Sequence, residues 1–461
     1  MLKPVRPNKK QSLPSLHFAS LILLVAATFL MGGASRADVL SLAILRPIAA
    51  ILLVIGLYGL TWQMTRGFRL VCGLAAALTL LIALQLVPLP PALWTNLPGR
   101  DLLADGLVAA GLPLGWQPIS MVPSLTWNAL FSLLVPLAGL VLMLRCTAEE
   151  RLRMLPVLII AGVCSAVLGF FQASAPGTIE FYALTNEGFP VGLFANRNHQ
   201  AIWLCCLPIL LAGWSSHAEQ GERARGAMLQ VCALLLVIAL IPLVLITGSR
   251  AGVLLYALSL ALAAAIRFGP GIGAGKVKWG RQSMALLGGF LFIALIVTIA
   301  SMSRDVAVGR LMAGAFTDDL RAAILPRSLD LAWAYFPFGA GFGTFPEIFK
   351  IGETQTTLGS SYVNHAHSDW IEFLIDGGIA ALVILMIGLI AWANVLVQLI
   401  ANRRPHNHWL TMGLVAGAVI FVLGLASIAD YPVRVPSLML VGVVAIVWLA
   451  QSKTEMIAKR D

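Results

Sequence analysis

Twelve stretches of this sequence are apolar for sixteen residues or more, and no other feature constrains the fold as strongly. They lie at about 17–33, 46–62, 69–90, 125–145, 154–173, 199–214, 227–247, 250–267, 283–302, 371–398, 409–428 and 436–451. A helix crosses the hydrocarbon core of a bilayer with about 20 such residues. Only 11% of the 461 residues are charged, against about 25% in soluble domains. The sequence therefore predicts an all-α polytopic membrane protein with about 12 transmembrane helices. Its net charge of +10 does not point to nucleic acid, because membrane proteins collect Lys and Arg on their cytoplasmic side. The opening "MLKPVRPNKK" carries four positive charges ahead of the first apolar stretch, which reads as a retained signal anchor.

Lys and Arg also set the orientation. With the N-terminus inside, 20 of the 31 positive residues fall in inside segments. Five of the remaining 11 lie in one long loop, where charge counts little for orientation. This places both termini in the cytoplasm. The predicted order is a basic N-terminus at 1–16, helices one to nine within 17–302, and an external loop with short helices at 303–370. Helices ten to twelve follow within 371–451, then a cytoplasmic tail at 452–461. In the loop, apolar residues at helical spacing suggest helices lying on the membrane face, with Pro326 and Pro337 breaking any long one. The "GAGFGTF" run is expected to open no helix and to hold no nucleotide. The six cysteines fall in spans or in an inside loop, so no disulfide framework is expected.

The spans are nearly free of ionisable residues, and the polar exceptions gather at their outer ends. Arg197 and His199 stand in "NRNHQ", Arg250 in "TGSRAG", and Arg321 opens the helical part of the loop. His365, His367 and Asp369 precede the tenth span, and Asp430 and Arg434 occupy "DYPVR" before the twelfth. Singly, each has a structural reading: an Arg snorkelling to the headgroups, His199 bonded to backbone, Asp430 and Arg434 as an ion pair closing a turn. Together they are harder to dismiss, because short outer loops normally lack positive charge. Several Arg converging there suggest a bound anion, and diphosphate suits planar, permanently charged donors.

Asp369 and Glu372 stand in the relation of a capping box, so the tenth helix is expected to begin at Asp369. His367 then lies near its positive dipole end, which favours neutral imidazole and suits a general base. In a second register, with the helix starting earlier, His365, Asp369, Glu372 and Asp376 share one face instead.

These elements resemble the O-antigen ligase and polysaccharide polymerase family of bacterial inner membranes. The likeness rests on "GLFANRNHQA", "TGSRAG", Arg321 with "LDLAWAYFPFGAGFGTF", "NHAHSDWIEFLIDGG" and "ADYPVRVPSLML", in that order, with a long loop between spans nine and ten. The resemblance implies a type C glycosyltransferase-like fold. It also implies transfer of a glycan from undecaprenyl diphosphate to an acceptor hydroxyl at the periplasmic face of the inner membrane. The acceptor is lipid A-core for a ligase and a growing chain for a polymerase.

By that likeness Arg250 and Arg321 hold the diphosphate, while His367 serves as base with Asp369 beside it. Arg197, Asn196, Asn198 and His365 are the further candidates. A single displacement inverts the anomeric carbon, and arginine can take the place of a divalent cation, so neither metal nor cofactor is expected. The expected partners are the lipid-linked donor, the acceptor and membrane lipids. The alternative is a transporter or flippase of a lipid-linked glycan. That reading asks for polar residues at mid-membrane depth and for internal repeats, and the sequence displays few of the first and none of the second.

Overall fold

The computed structural model describes residues 14–218, 223–272, 321–353, 358, 362–402 and 408–457. Among the described residues eight helical spans are long and apolar enough to cross a membrane, two of them, Trp62–Leu84 and Pro123–Arg145, built from consecutive shorter helices; two more helices, Leu16–Met31 (α1) and Leu42–Leu57 (α2), are apolar but shorter. The chain is a mostly helical, multi-pass membrane protein. The predicted ninth span at 283–302, and the loop up to residue 320, lie outside the described residues.

Besides the short helices Trp62–Thr65, Pro91–Trp94 and Asp101–Ala109, the chain forms Arg69–Leu84 (α3), Pro123–Ser132 (α4), Leu134–Arg145 (α5), Ala148–Ser174 (α6), Arg197–Ala218 (α7), Arg223–Ile246 (α8) and Arg250–Ile272 (α9). They continue with residues 321–334 (α10), Phe345–Lys350 (α11), Asp369–Ala401 (α12), His408–Ala429 (α13) and Pro436–Ile457 (α14). At the centre α7 packs on α9 and α13, α13 on α14, and α14 on α5, which also carries α1 and α2. Small residues permit these close approaches, as between transmembrane helices generally. A Cβ on Gly139 would stand 2.3 Å from Leu440 Cδ1, and one on Gly162 2.2 Å from Leu207 Cδ2.

The bundle has two unlike ends. At one, the Thr147 hydroxyl and the Glu150 carboxylate form a capping box on α6, and Glu150 Oε1 also accepts from Ser15 N at 3.0 Å. Arg151 there reaches Gln451 and the Met143 and Leu144 carbonyls. The described chain therefore enters and leaves the bundle at the same end.

The other end carries a polar layer with its own small apolar core, which includes Ile324, Leu331, Phe345, Phe349 and Ile375. A two-strand ribbon joins this layer, with Pro88–Leu89 (β1) antiparallel to Gln117–Pro118 (β2).

Three local expectations give way in this layer. Helix α10 runs through Pro326 without a break and ends at residue 334, before Pro337. "GAGFGTF" does lead into a helix, since Thr344 precedes α11. The tenth predicted span is also not one continuous helix: Gly378, at φ 56° and ψ −142°, interrupts α12. The interruption frees backbone groups of α12, and the glycine-rich loop meets them. Ala340 N donates to Ile375 O at 2.8 Å, Gly341 N to Asp376 O at 3.0 Å, and Ile379 N to Pro337 O at 2.9 Å. Gln85, just past α3, closes the junction by donating to Asp376 O at 2.8 Å and accepting from Phe342 N at 3.1 Å. Only glycine fits at the crossing, because a Cβ on Gly378 would stand 2.0 Å from Pro337 O.

Candidate active site

Two segments far apart in sequence, residues 196–199 and 364–367, converge on Tyr431, in the turn between α13 and α14. Its ring lies 5.1 Å from that of His199, 4.3 Å from His365 and 5.2 Å from His367, centroid to centroid. Asn196 and Asn364 hydrogen-bond its phenol. Burial, and then the nearby Asp430 carboxylate, push that phenol above its ordinary range, against those two hydrogen bonds. Tyr431 therefore stays protonated at any physiological pH. It forms a buried aromatic post around which three imidazoles stand.

Asp430 is the charged hub on one side of the post. It accepts from Tyr431 N at 2.9 Å and lies 3.4 Å from Arg321 and 3.5 Å from His199 Nε2. Burial alone would raise its carboxyl, but His199, Arg321 and His367 outweigh that and hold it well below the usual carboxylate range. Arg321, at the described start of α10, is thereby drawn to the histidines.

Arg434 is the hub on the other side. Its guanidinium lies 3.4 Å from Asp369, 3.1 Å from Glu372 and 3.0 Å from Asp376. All three acids are buried and stand on the first turns of α12. Burial would lower the Arg434 pKa, and the three carboxylates reverse that and raise it. Asp369 is held further by Ser427 Oγ at 2.9 Å and Val433 N at 3.2 Å. Arg434 occupies the space between these carboxylates that a cation would otherwise take. Among the described residues no group of three or more His, Cys, Asp or Glu is arranged to hold a metal ion.

Two sequence readings are corrected here. Asp430 and Arg434 do not pair with each other: Pro432–Arg434 forms a 3-10 turn and the two side chains serve different clusters. The capping box does not form either. Ser368 is the residue preceding α12, with no side-chain cap bond. Glu372 reaches past it to the incoming segment, accepting from Ala366 N at 2.8 Å and meeting His365 Nδ1 at 2.9 Å. His365 meets Glu372 as the second register has it, but through a turn, because residues 364–368 are not helical.

His367 stands one residue before Ser368, in left-handed backbone at φ 52°, a conformation uncommon outside glycine. Its Nδ1 is buried with no hydrogen-bond partner. Burial, ahead of the opposing Asp430 charge, lowers its pKa from 6.5 to about 4. The neutral ring expected from the helix dipole is therefore found, with desolvation as its principal cause.

The other candidates stand at the same end. Asn196 Oδ1 accepts from Asn198 N at 2.8 Å and so caps the start of α7. Arg197 is buried, with its guanidinium 4.1 Å from the Phe189 ring centroid and its backbone N–H on Asn186 Oδ1. Arg250 is exposed and opens α9. It is placed beside the start of α7 by the Gly252–Ala201 approach and by the Cys205 thiol on Gly252 O at 3.3 Å. Tyr431 is a candidate functional residue that the sequence pattern does not single out, and His199, expected to bond backbone, faces Asp430 and Tyr431 instead. The available signal was an aromatic between two charges in a five-residue turn joining two spans.

Residues 232–386 match the family model described as O-antigen ligase. The match takes in Arg250, Arg321, His365, His367 and the acids of α12; Asn196, His199, Asp430, Tyr431 and Arg434 lie outside it. No curated protein matches the chain.

Proposed function

Taking an O-antigen ligase-like membrane chain as the premise, we propose that it transfers a glycan from undecaprenyl diphosphate to an acceptor hydroxyl at the periplasmic face of the inner membrane. The chain acts as a ligase onto lipid A-core or as a polymerase onto a growing chain. The observation that carries the reading is the convergence of Arg321 and three histidines around Tyr431 and Asp430, at one end of an apolar bundle.

Undecaprenyl diphosphate leaves readily once its charge is balanced, so catalysis reduces to positioning and electrostatics. Arg250 and Arg321 neutralise the departing diphosphate. His367, neutral at pH 7, accepts the proton of the acceptor hydroxyl as its oxygen attacks the anomeric carbon. The bond from that carbon to the diphosphate oxygen breaks in the same step, and the configuration inverts. Asp369 acts at a distance from the proton: bonded to Ser427 and Val433 N, it fixes the turn that carries His367. The polar end faces the periplasm and both termini face the cytoplasm, in keeping with the bias of Lys and Arg.

The test is a gel of surface glycans from a strain lacking this gene, complemented with wild type or His367→Ala. Long chains missing from lipid A-core but accumulating on the carrier identify a ligase. A single repeat unit on the acceptor, without long chains, identifies a polymerase. Full restoration by His367→Ala would overturn the catalytic reading and leave transport as the better one.

A further inference from the structure

A groove of about 570 Å³ opens between α2 and the junction of α4 with α5. Its size falls in the range of ligand pockets, about 300–1,000 Å³. The lining is apolar except for Arg46 and Asp38. Asp38 is already engaged: Arg36 donates to both of its oxygens, at 3.0 and 2.7 Å. Arg46 has no carboxylate partner among the described residues. Its Nη2 donates to Asn128 Oδ1 at 2.7 Å, and its Nε is buried without an acceptor.

A snorkelling arginine extends its head to water. Arg46 instead is tied back across the groove to α4, with part of its guanidinium desolvated and no counter-charge. Arg46 is half-buried, and a cation whose guanidinium is partly desolvated without a counter-charge is costly unless an anion joins it.

Depth and surroundings identify the anion. Arg46 lies one turn into α2, at the polar-layer end, where Ser41 Oγ bonds Met31 O. Next to Asn128, the exposed Trp127 stacks on Phe131 at 5.7 Å, and exposed tryptophans mark the headgroup level of a bilayer. Leu40, just before α2, and Ile44, on its outside, are exposed and apolar.

We propose that this groove binds an anionic glycerophospholipid, with Arg46 on its phosphodiester oxygens and its acyl chains running down α2. With Asp38 balanced by Arg36, the one guanidinium of Arg46 matches a single negative charge. A diphosphate such as the carrier carries more charge than Arg46 can balance. The site is thus separate from the donor site, and its test does not depend on glycan transfer.

The test is native mass spectrometry of the full chain in mild detergent, with dioleoylphosphatidylglycerol or dioleoylphosphatidylcholine added. Wild type is expected to retain the glycerol lipid in preference to the choline lipid. Arg46→Gln should weaken that retention about tenfold or more, the usual worth of a charge-assisted contact. Ala50→Phe fills the groove while leaving the Arg46–Asn128 bond in place, and should have the same effect even if Arg46→Gln fails to fold. Equal retention of both lipids by wild type, or unchanged retention in Ala50→Phe, would overturn the proposal. So would displacement of the glycerol lipid by farnesyl diphosphate in wild type, which would assign the groove to the carrier.

Discussion

Glu372 holds His365 in place: the Nδ1 of the ring lies 2.9 Å from Oε1, and Oε2 takes the backbone N–H of the next residue, Ala366. His367, two residues on, has no comparable anchor at its own Nδ1. The two histidines share the Tyr431 ring and differ in how they are anchored.

That difference predicts unequal losses. His367→Ala should cut glycan transfer about 10²–10⁴-fold, the usual contribution of a general base, in an assay with purified lipid-linked donor. His365→Ala should cost less, because it removes one support of the turn and not the proton acceptor. The opposite ranking would assign the base to the Glu372–His365 pair.

Arg321→Ala and Arg250→Ala should each lower turnover about 10²–10³-fold, as the loss of one charge-stabilising donor does elsewhere. Arg321→Lys should recover little, because an ammonium cannot reproduce the planar fork. Membrane content measured on the same preparations separates lost chemistry from lost protein.

Arg434→Met should destabilise the chain by about 3–5 kcal/mol, since it strands three buried carboxylates. Thermal unfolding in detergent reads the effect. Adding Glu372→Gln to Arg434→Met should recover part of the loss, and an unchanged midpoint in Arg434→Met alone would refute the hub.

Acid should act in two ways. With His367 lowered to about 4 in the fold against an ordinary 6.5, the unfolded chain binds more protons between those values, so stability falls as pH drops from 6.5 towards 4. Asp430, held well below its ordinary 3.8, contributes stability that is present above that value and is lost at still lower pH. Turnover by a neutral His367 should likewise persist below pH 6, with its acid limb near 4. A limb centred at 6.5 would show an exposed base.

Gly378→Ala should be more harmful than an ordinary helix substitution. It places a side chain at φ 56° and 2.0 Å from Pro337 O, and strained backbone alone costs about 1–3 kcal/mol. Gly106→Ala, in open space on the helix Asp101–Ala109, is the matched control and should leave the unfolding midpoint in place.

The membrane helices were legible in the sequence because hydrocarbon imposes one simple requirement, a long apolar run. The histidines and Arg321 were legible because polar residues at span ends stand out against that background. Asp430 and Arg434 were misread because four residues of separation suggests a pair, whereas the turn beginning at Pro432 sends them to opposite hubs. Tyr431 carried only a weak signal, an aromatic between two charges in a short turn. Its role arises only when residues 196–199 and 364–367 fold against it, and an aromatic beside a proline otherwise reads as an interface anchor. The break in α12 was hidden for a related reason, since Gly377 and Gly378 lie in one unbroken apolar run and their partner loop begins some forty residues earlier.

That break also fits the chain to its bilayer. As one rod, the 33 residues of Asp369–Ala401 would extend about 50 Å at ~1.5 Å per residue, well beyond a hydrocarbon core of about 30 Å. Divided at Gly378, the segment from Ile379 to Ala401 is about 35 Å long, a length that modest tilt accommodates. The two and a half turns before it, with Asp369, Glu372 and Asp376, are released from the hydrophobic slab. A thinner or thicker membrane can then change the slope of the span without carrying the acids along with it.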